Sequence, residues 1–486
     1  SRKDAFRRKG LCSQRRRLAQ LSVQRIRMKN ILKYHLYIIG FAILTAAAVW
    51  LNWDCPPNYD EAHAWNIARH LSTAEIFTVS KTEGHPFLWY YLLMPLAKAN
   101  LLYPYSLYFL NLLLVIGAFY LLYRYAPFPA YVKYLITLSA PFLQLYAGFA
   151  RSYTLSVFLL FSLLSFYPSR QQHPVFYLFL LLLLANTNLM GFWTAFPLGF
   201  IYFTENLCSS FRNKRLSLPL FLTINAALLE ILLIVLQFYG YNADIPKYTP
   251  VFHSLQEDLN MALFPLNIHV FFGIILLYFF FFLKQKQFVA VFFLASTMVT
   301  LALTFTFVYH GAIHHHNFFY ICLIAACWLE KEKSAAHSPS ATLLLGIIAL
   351  LLIFNPYNQY KKKDCAYLRS LQNSAVAINK LFPGSKQQIL VLEHFDANII
   401  KPYLSPNIKL LNQTMTDFSS LKAFQETLYH FYRQINRYKI IETVAQTPDT
   451  LLYRTCGENT YRNDLLAFRL KYRLNSKYCL YTIEIR

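Results

Sequence analysis

Residues Asp54–Pro86 read DCPPNYDEAHAWNIARHLSTAEIFTVSKTEGHP and form the first long polar segment after a hydrophobic span, in a chain where nearly everything else in the first 355 residues is apolar and aromatic. The segment follows a hydrophobic run and carries an adjacent acid pair, Asp60-Glu61, with His63 two residues on. It closes with the sequence EGHP at 83–86. Charge beside hydrocarbon is costly unless it is solvated, paired or used in function. This segment is therefore the first candidate for a functional site.

The composition predicts a polytopic membrane protein. Of the 486 residues, 56% are hydrophobic, 17% are aromatic and 14% are charged. A soluble domain usually has about 25% charged residues. Phe and Tyr dominate the excess, as expected for a protein with many rings at the membrane interface. We therefore expect an α-helical membrane bundle rather than a soluble domain.

The net charge of +23 comes from 46 Lys and Arg against 23 Asp and Glu. In a soluble protein such an excess would suggest nucleic-acid binding. Here the basic residues lie largely at the N-terminus and in short loops between apolar runs, where they orient membrane spans. The charge thus predicts contact with membrane lipids and no nucleic-acid partner. Residues 1–33 are predicted to form a basic cytoplasmic arm that touches anionic lipid.

A transmembrane helix needs about 20 apolar residues, or fewer where it is tilted or buried, and by that rule residues 34–356 hold about eleven spans. The predicted spans lie near 34–53, 105–123, 131–149, 152–167, 174–189, 191–206, 218–240, 267–283, 287–308, 313–329 and 341–356. The positions of Lys and Arg in alternate loops agree with this count when the N-terminus is cytoplasmic. The segments 54–104, 309–316 and 357–486, and the turn at Arg151, then lie on the opposite side.

The first outer loop, residues 54–104, is predicted to hold two amphipathic helices that lie along the membrane surface. Ala62–Leu71 and Phe87–Lys98 have the pattern typical of juxtamembrane helices. Pro86 fits this prediction, since proline is favoured at the first turn of a helix. The alternative is that 87–103 crosses the membrane, which would make the number of spans even and place the C-terminal tail in the cytoplasm.

Residues 357–486 differ in kind and are predicted to form a small extracytoplasmic α/β domain, a normal size for one core. The predicted elements are helices at 366–381 and 419–437 and strands at 387–393, 450–453 and 480–485. Cys365, Cys456 and Cys479 would meet an oxidising compartment there, where a disulfide can form. Cys456–Cys479 is the pair that we favour, although spacing alone does not decide connectivity.

The acid pair has two interpretations. Asp60 and Glu61 can be structural, because acids at a helix N-terminus are favourable by about 0.3–1 kcal/mol. Alternatively, Asp60 is a base, or a ligand at a metal or phosphate site. His63 lies three residues after Asp60 and would share its helix face. Glu83 and His85 would close such a site from the other end of the loop.

Arg151 is the only basic residue in the corner formed by Gly148–Tyr153, at the outer end of two predicted spans. One interpretation is an arginine that snorkels to the interface. The other is a phosphate clamp, since a guanidinium pairs with phosphate oxygens in a bidentate manner. The sequence of this corner is compatible with both.

The segment Tyr309–Asn317 (YHGAIHHHN) places three consecutive histidines, His314, His315 and His316, at the outer start of a span. Consecutive residues of a helix face different directions, so the three do not all ligate one ion. They can be interfacial polar residues, or one or two of them can contact a phosphate. A zinc site has no support, because neither the ligand spacing nor a C-x-x-C pair is present.

Together these segments resemble the GT-C superfamily of integral-membrane glycosyltransferases that use polyprenyl-phosphate sugars, in the branch of protein O-mannosyltransferases and aminoarabinose transferases (glycosyltransferase family 39). The resemblance covers roughly residues 34–330. The matching segments are Tyr59–His63 (YDEAH), Glu83–Leu93 (EGHPFLWYYLL), Ala150–Leu155 (ARSYTL) and His315–Tyr320 (HHNFFY). Relatives usually have Pro-Pro where this chain has His85-Pro86, and no arginine adjoins Tyr320. The C-terminal domain carries no motif of the superfamily.

The resemblance implies a GT-C fold and a lipid-linked sugar donor. The polyprenyl chain would lie in a groove between spans with its phosphate at the outer surface, so no nucleotide-binding motif is needed. Asp60 would be the general base for an acceptor hydroxyl or amine. Glu61 or Glu83 would position the acceptor or a metal. A divalent cation, Mg²⁺ or Mn²⁺, that bridges Asp60 or Glu61 and the phosphate is compatible with this set and not required by it.

The resemblance also implies a phosphate-binding set on the outer face. Arg151, together with His315 or His316, would stabilise the polyprenyl phosphate as it leaves with growing negative charge. The remaining implied substrate-binding residues are His63, His85 and Tyr153. The acceptor would be a lipid, a polysaccharide or other glycan, or a protein. The implied location is a bacterial inner membrane, with the N-terminus cytoplasmic and the C-terminal domain periplasmic.

Two functions of other classes compete with sugar transfer. A transporter or flippase of a lipid-linked substrate would use the same charges along a path, and transporters often show repeats and polar groups at mid-bilayer. In this chain the ionisable groups gather at one membrane face and no repeat is present. A non-catalytic membrane scaffold would bind a partner through its outer domain, and Asp60→Asn would leave its function unchanged.

Overall fold

The computed structural model describes residues 40, 42–49, 53–83, 85–99, 101–239, 252–309, 311–333, 339–391, 394–411, 451–456 and 466–485. Their helices are α1 (42–49), α2 (Tyr59–His70), α3 (Thr73–Glu83), α4 (Leu88–Lys98), α5 (Tyr105–Tyr125), α6 (Ala130–Leu138), α7 (Ser152–Phe166), α8 (Pro174–Ala185), α9 (Leu189–Asn213), α10 (Leu218–Phe238), α11 (Phe252–Leu263), α12 (Ile268–Lys284), α13 (Phe288–Leu303), α14 (Ile313–His316), α15 (Phe318–Lys333), α16 (Pro339–Ile353), α17 (Tyr357–Leu381) and α18 (His394–Ile400). The strands are β1 (Gln387–Val391), β2 (Ile408–Leu411), β3 (Leu451–Thr455), β4 (Leu466–Arg473) and β5 (Tyr478–Ile485).

Several helices begin where the local sequence supplies a cap or a proline. The side chains of Asn188, Ser217 and Asn267 accept hydrogen bonds from backbone N–H groups in the first turns of α9, α10 and α12. Pro174 is in the first turn of α8, where its missing N–H has no intrahelical partner to lose. The starts of these four helices therefore have a local cause in the sequence.

Apart from 34–53, which lies partly outside the described residues, each predicted span overlaps a helix, in some cases one that is followed by a π-helical turn. Within the described residues, four helical segments are long and apolar enough to cross a bilayer: Tyr105–Tyr125, Ser152–Ser169, Leu218–Phe238 and Phe288–Val308. A fifth span results if α11 and α12, which meet at a 70° bend, are counted together. The helix α4 has 11 residues, which is about half of what a crossing needs. The total of eleven spans stays a prediction.

Burial separates the centre of the bundle from its rim. In α7, 72% of the apolar window is buried inside the protein, whereas in α10 the share is 11%. The exposed side chains of α10 include Leu228, Leu232 and Leu236. A helix that is apolar all round and mostly uncovered is stable in hydrocarbon and not in water. The protein is thus an integral membrane protein in which α7 lies at the centre and α10 faces lipid.

The C-terminal domain is a five-stranded mixed sheet in the order β2-β1-β3-β5-β4. The strand β1 pairs in parallel with β2 and β3, and β5 pairs antiparallel with β3 and β4. The predicted strands at 387–393, 450–453 and 480–485 correspond to β1, β3 and β5. The strands β2 and β4 were not predicted, and the helix predicted at 419–437 lies outside the described residues.

The C-terminal domain packs directly on the first outer loop. Cys55 and Ala62 belong to the same apolar cluster as Leu371 of α17 and Ile389 of β1. A disulfide joins Cys55 to Cys365 at the other end of the chain. Burial of apolar side chains and a covalent link therefore hold the domain against the N-terminal half of α2.

A second disulfide, Cys456–Cys479, lies inside the C-terminal domain. It joins the residue after β3 to its antiparallel neighbour β5, and it confirms the pairing that we favoured. The Cys55–Cys365 disulfide was not predicted. Spacing could not have indicated it, because the two residues are 310 positions apart.

Candidate active site

The helix α2 starts at Tyr59, three residues earlier than predicted, because Asn58 and Glu61 form a capping box. The Asn58 side-chain Oδ1 accepts a hydrogen bond from the Glu61 N–H at 3.1 Å. In return, the Asn58 N–H donates to Glu61 Oε2 at 2.9 Å. The structural interpretation of the acid pair is therefore correct for Glu61.

The second carboxylate oxygen of Glu61 reaches across the bundle. Glu61 Oε1 accepts a hydrogen bond from the backbone N–H of Ala150 at 2.7 Å, and the Glu61 side chain is buried. Hydrogen bonds to a buried charge are strong and costly to lose. Glu61 thus joins the start of α2 to the residue that precedes Arg151.

Arg151 makes a second link across the same gap. Its Nη1 donates to the backbone carbonyl of Asp60 at 2.8 Å. The side chain is 5% exposed, and Arg151 is the N-cap residue of α7. An arginine that snorkels would keep its head in water. The structure instead places the guanidinium inside the protein, beside Asp60.

The carboxylate of Asp60 is half-buried, and within the described part of the chain it makes no hydrogen bond or ion pair. It lies close to Tyr309. Partial burial of the Tyr309 phenol, and next the charge of Asp60, raise the pKa of this phenol to about 12, while Arg151 lowers it. The structure therefore gathers an acid, a guanidinium and a neutral phenol at the N-terminal end of α7.

Tyr153, in the first turn of α7, contacts the histidine segment. Its hydroxyl oxygen is 2.6 Å from His315 Nε2, and the Ala312 backbone N–H donates to His315 Nδ1 at 2.8 Å. The ring of His314 packs between Phe149 and Tyr153, with centroids 4.7 Å from each. The short helix α14 is thereby held against the start of α7.

His316 and His63 point elsewhere. His316 is fully buried, and its ring packs edge-on against Phe305 at 4.7 Å. The His63 ring stacks on Tyr59 at 5.2 Å, and its Nδ1 is 3.2 Å from Asn398 Oδ1 in α18. His316 therefore packs into the bundle and His63 against the C-terminal domain. Their substrate-binding roles stay predictions.

His85 and Glu83 flank the beginning of α4. His85 is half-buried, and two residues later the Phe87 N–H donates to Gln237 Oε1 in α10 at 3.2 Å. The backbone of Glu83 ends α3, and its side chain is not among those that the structure describes. The role expected for Glu83 is therefore untested.

No three His, Cys, Asp or Glu side chains of the described residues lie close enough together to hold a metal ion. Glu61, one of the two predicted metal ligands, already accepts one backbone hydrogen bond on each oxygen. Asp60 is the carboxylate that remains available in this corner.

No family model and no curated protein matches this chain. Solved structures do match. The crystal structure of ArnT from Cupriavidus metallidurans in the apo state superposes with a TM-score of 0.52 and 9% sequence identity, over 92% of this chain and 97% of that one. The structure of the same ArnT bound to undecaprenyl phosphate gives a TM-score of 0.53 and 9% identity, over 91% and 97%.

This chain has the ArnT fold. The likeness confirms, at the level of the fold, the resemblance drawn from the sequence. Because 91–92% of this chain is covered, the shared ArnT fold extends beyond the helical bundle into the C-terminal domain. At 9% identity the likeness to ArnT shows the fold alone.

Several residues of the site escaped the sequence analysis. Tyr309 carried a signal, since it adjoins the polar segment that holds the histidines. The backbone N–H groups of Ala150 and Ala312 carried none, because every residue except proline has one. Asn398 gave no signal either, since its contact with α2 joins positions more than 330 residues apart.

Proposed function

We propose that this protein is a membrane glycosyltransferase that moves a sugar from a polyprenyl-phosphate donor to an acceptor at the extracytoplasmic face. The contact that carries the proposal is the hydrogen bond from Arg151 Nη1 to the Asp60 carbonyl. It supports the proposal because it holds the guanidinium that we propose to bind phosphate next to the residue whose carboxylate we propose as the base. The ArnT structure bound to undecaprenyl phosphate supports a polyprenyl phosphate as the lipid.

Arg151 is the centre of the phosphate site in this proposal. Its guanidinium lies at the N-terminus of α7, where the helix dipole and the free N–H groups of the first turn favour an anion. Two positive contributions thus meet where the phosphate of the donor would lie. Because Arg151 is buried, its interaction with phosphate is screened less than at a surface.

Asp60 is the general base in this proposal. The acceptor oxygen or nitrogen forms a bond to the anomeric carbon, and the bond from that carbon to the phosphate oxygen breaks. The electron pair leaves with the polyprenyl phosphate, which gains one negative charge that Arg151 stabilises. The acceptor proton passes to Asp60, whose carboxylate makes no hydrogen bond within the described residues and is open to receive it.

Glu61 and Glu83 have different positions in this scheme. Glu61 holds the start of α2 against Ala150 and so keeps Asp60 beside Arg151. Glu83 is proposed to position the acceptor. Asp60 is the proposed protein ligand of a divalent cation. A single carboxylate is compatible with Mg²⁺, which is usually bound by one or two carboxylates plus substrate phosphates.

The orientation in the membrane is part of the proposal. Both disulfides, Cys55–Cys365 and Cys456–Cys479, belong to the side of the first outer loop and the C-terminal domain. Disulfides persist in oxidising compartments. This supports an extracytoplasmic site, with a cytoplasmic N-terminus in a bacterial inner membrane. The acceptor is proposed to be a lipid, a polysaccharide or a protein on that side.

The test is a comparison of lipid-linked sugars and surface glycans by mass spectrometry. Cells that lack the protein are complemented with the wild type or with Asp60→Asn. We expect the wild type to restore a glycan that Asp60→Asn does not, with the unused lipid-linked sugar accumulating. Identical profiles for the two would refute sugar transfer by this site.

A further inference from the structure

The hydrogen bonds around His315 determine which of its ring nitrogens carries a proton. The Ala312 backbone N–H donates to Nδ1 at 2.8 Å, so Nδ1 is an acceptor and has no proton. An imidazole ring has at least one N–H, and here it is on Nε2. The Nε2–H therefore donates to the Tyr153 hydroxyl oxygen, 2.6 Å away.

In this assignment the Tyr153 hydroxyl oxygen accepts, so the hydrogen of the same hydroxyl is not used in the bond to His315. Two donors do not face each other, so the Tyr153 hydrogen points away from His315. Within the described residues the hydroxyl has no other hydrogen-bond partner, and Tyr153 is 2% exposed. Buried polar hydrogens almost always have an acceptor in native proteins. Tyr153 lies two residues from the buried Arg151, so a phosphate bound by that guanidinium could supply the acceptor that this hydroxyl lacks.

We propose that the Tyr153 hydroxyl donates a hydrogen bond to the phosphate of the polyprenyl-phosphate lipid, and that His315 acts only through Tyr153. His315 is then a positioning residue: Ala312 sets its tautomer, and its Nε2–H turns the phenol hydrogen toward the phosphate. The sequence had implied that the histidine itself contacts phosphate. This inference rests on the proposed function, because it needs the phosphate beside Arg151.

The packing supports a fixed direction for this hydrogen. The Tyr153 ring lies against Phe149 at 6.0 Å and edge-on to His315 at 4.9 Å. In addition, the Tyr146 hydroxyl donates to the His314 carbonyl at 3.0 Å and anchors α14 from the other side. Side chains locked in this way position a donor before the ligand binds, which lowers the entropic cost of binding.

The experiment measures binding of two probes to the purified full-length protein in detergent, by native mass spectrometry titration. The probes are undecaprenyl phosphate and undecaprenol, which lacks the phosphate. We expect Tyr153→Phe to weaken binding of undecaprenyl phosphate about 10- to 100-fold, the range for a hydrogen bond to a charged group. Binding of undecaprenol should not change. Tyr278→Phe is the matched control, since it also removes a buried tyrosine hydroxyl, in this case one that donates to the Ala341 carbonyl.

The role of His315 is tested by a double-mutant cycle. His315→Leu should weaken binding of undecaprenyl phosphate, and Tyr153→Phe combined with His315→Leu should bind no worse than Tyr153→Phe alone. His315→Gln retains an N–H donor near the position of Nε2 and should restore most of the affinity. Melting temperatures report whether each variant is folded.

Three results would overturn parts of this account, and they are distinguishable. Wild-type affinity in Tyr153→Phe would overturn the phenol contact. Losses that multiply in the double variant would show that His315 touches the phosphate itself. Equal binding of undecaprenyl phosphate and undecaprenol by the wild type would overturn the proposed function, and the inference with it.

Discussion

The carboxylate of Glu61 accepts a hydrogen bond from the backbone N–H of Ala150 at 2.7 Å, across 89 positions of the chain. Arg151, the residue after Ala150, and Asp60, the residue before Glu61, form a second link in the opposite direction, from a side-chain donor to a backbone acceptor. Two antiparallel clamps therefore hold the start of α2 against the start of α7. These two hydrogen bonds keep Asp60 next to Arg151.

Glu61→Gln should destabilise the protein. The two backbone N–H groups of Asn58 and Ala150 each donate to one oxygen of the carboxylate, and in the variant one of them would face the NH₂ group of the amide instead. The loss should be about 1.5–3 kcal/mol, the worth of a hydrogen bond to a charged group. Differential scanning fluorimetry in detergent measures it as a lower melting temperature. An unchanged melting temperature would show that Glu61 is not a clamp.

Asp60→Asn should behave oppositely to Glu61→Gln. The Asp60 carboxylate makes no hydrogen bond or ion pair within the described residues, so the melting temperature should not change. Sugar transfer should fall by about 10²–10⁴-fold, the usual contribution of a general base. Asp54→Asn is the matched control, because Asp54 lies in the same loop and pairs with Arg369 at the surface. Full activity in Asp60→Asn would remove the base from the mechanism.

Arg151→Lys should keep the charge and lose most of the function. A lysine ammonium does not reproduce the planar, bidentate fork that a phosphate recognises. We expect weaker binding of undecaprenyl phosphate in Arg151→Lys, and weaker still in Arg151→Ala, by the same native mass spectrometry titration. Arg124 is exposed at the C-terminal end of α5, and Arg124→Lys should bind undecaprenyl phosphate like the wild type. Binding of undecaprenyl phosphate by Arg151→Lys with the affinity of the wild type would argue against a bidentate contact between Arg151 and the phosphate.

His63→Ala should loosen the C-terminal domain. The His63 ring contacts Asn398 of α18, and Asn66 one turn later donates to the Asn398 carbonyl at 3.1 Å. Asn398→Ala should therefore have a similar effect. Limited proteolysis should show faster cleavage between the bundle and the domain in both variants. Resistance equal to the wild type, with weaker binding of undecaprenyl phosphate, would instead favour the predicted substrate contact.

Removal of the Cys55–Cys365 disulfide by a double serine substitution should also weaken docking of the C-terminal domain. Loss of a disulfide typically costs about 2–4 kcal/mol. Non-reducing peptide mapping should detect the link in the wild type, and proteolysis should accelerate in the variant. The matched control is the double serine variant at Cys456 and Cys479, whose disulfide lies within the domain. Free thiols at Cys55 and Cys365 in protein from the membrane would contradict the extracytoplasmic placement.

Elements with a local cause were predictable from the sequence. The helix α5 was predicted at 105–123 and is observed at Tyr105–Tyr125, because a long apolar run needs no information from elsewhere in the chain. The strands β1, β3 and β5 were predictable because a short run of β-type residues is likewise a local pattern. In contrast, β4 is charged and β2 has only four residues, so they depend on their neighbours in the sheet.

The candidate site divides in the same way. The sequence by itself indicated the membrane bundle, the C-terminal domain and the candidate residue types, because apolar periodicity, charge and turn chemistry are properties of short segments. Only the tertiary structure decided that Glu61 is a clamp, that Arg151 meets Asp60, and that His63 faces the C-terminal domain. Those relationships join positions about 90 to 335 residues apart through single hydrogen bonds. The direction in which each of these side chains points depends on the packing around it as well as on its own helix, so its neighbours in sequence do not determine it.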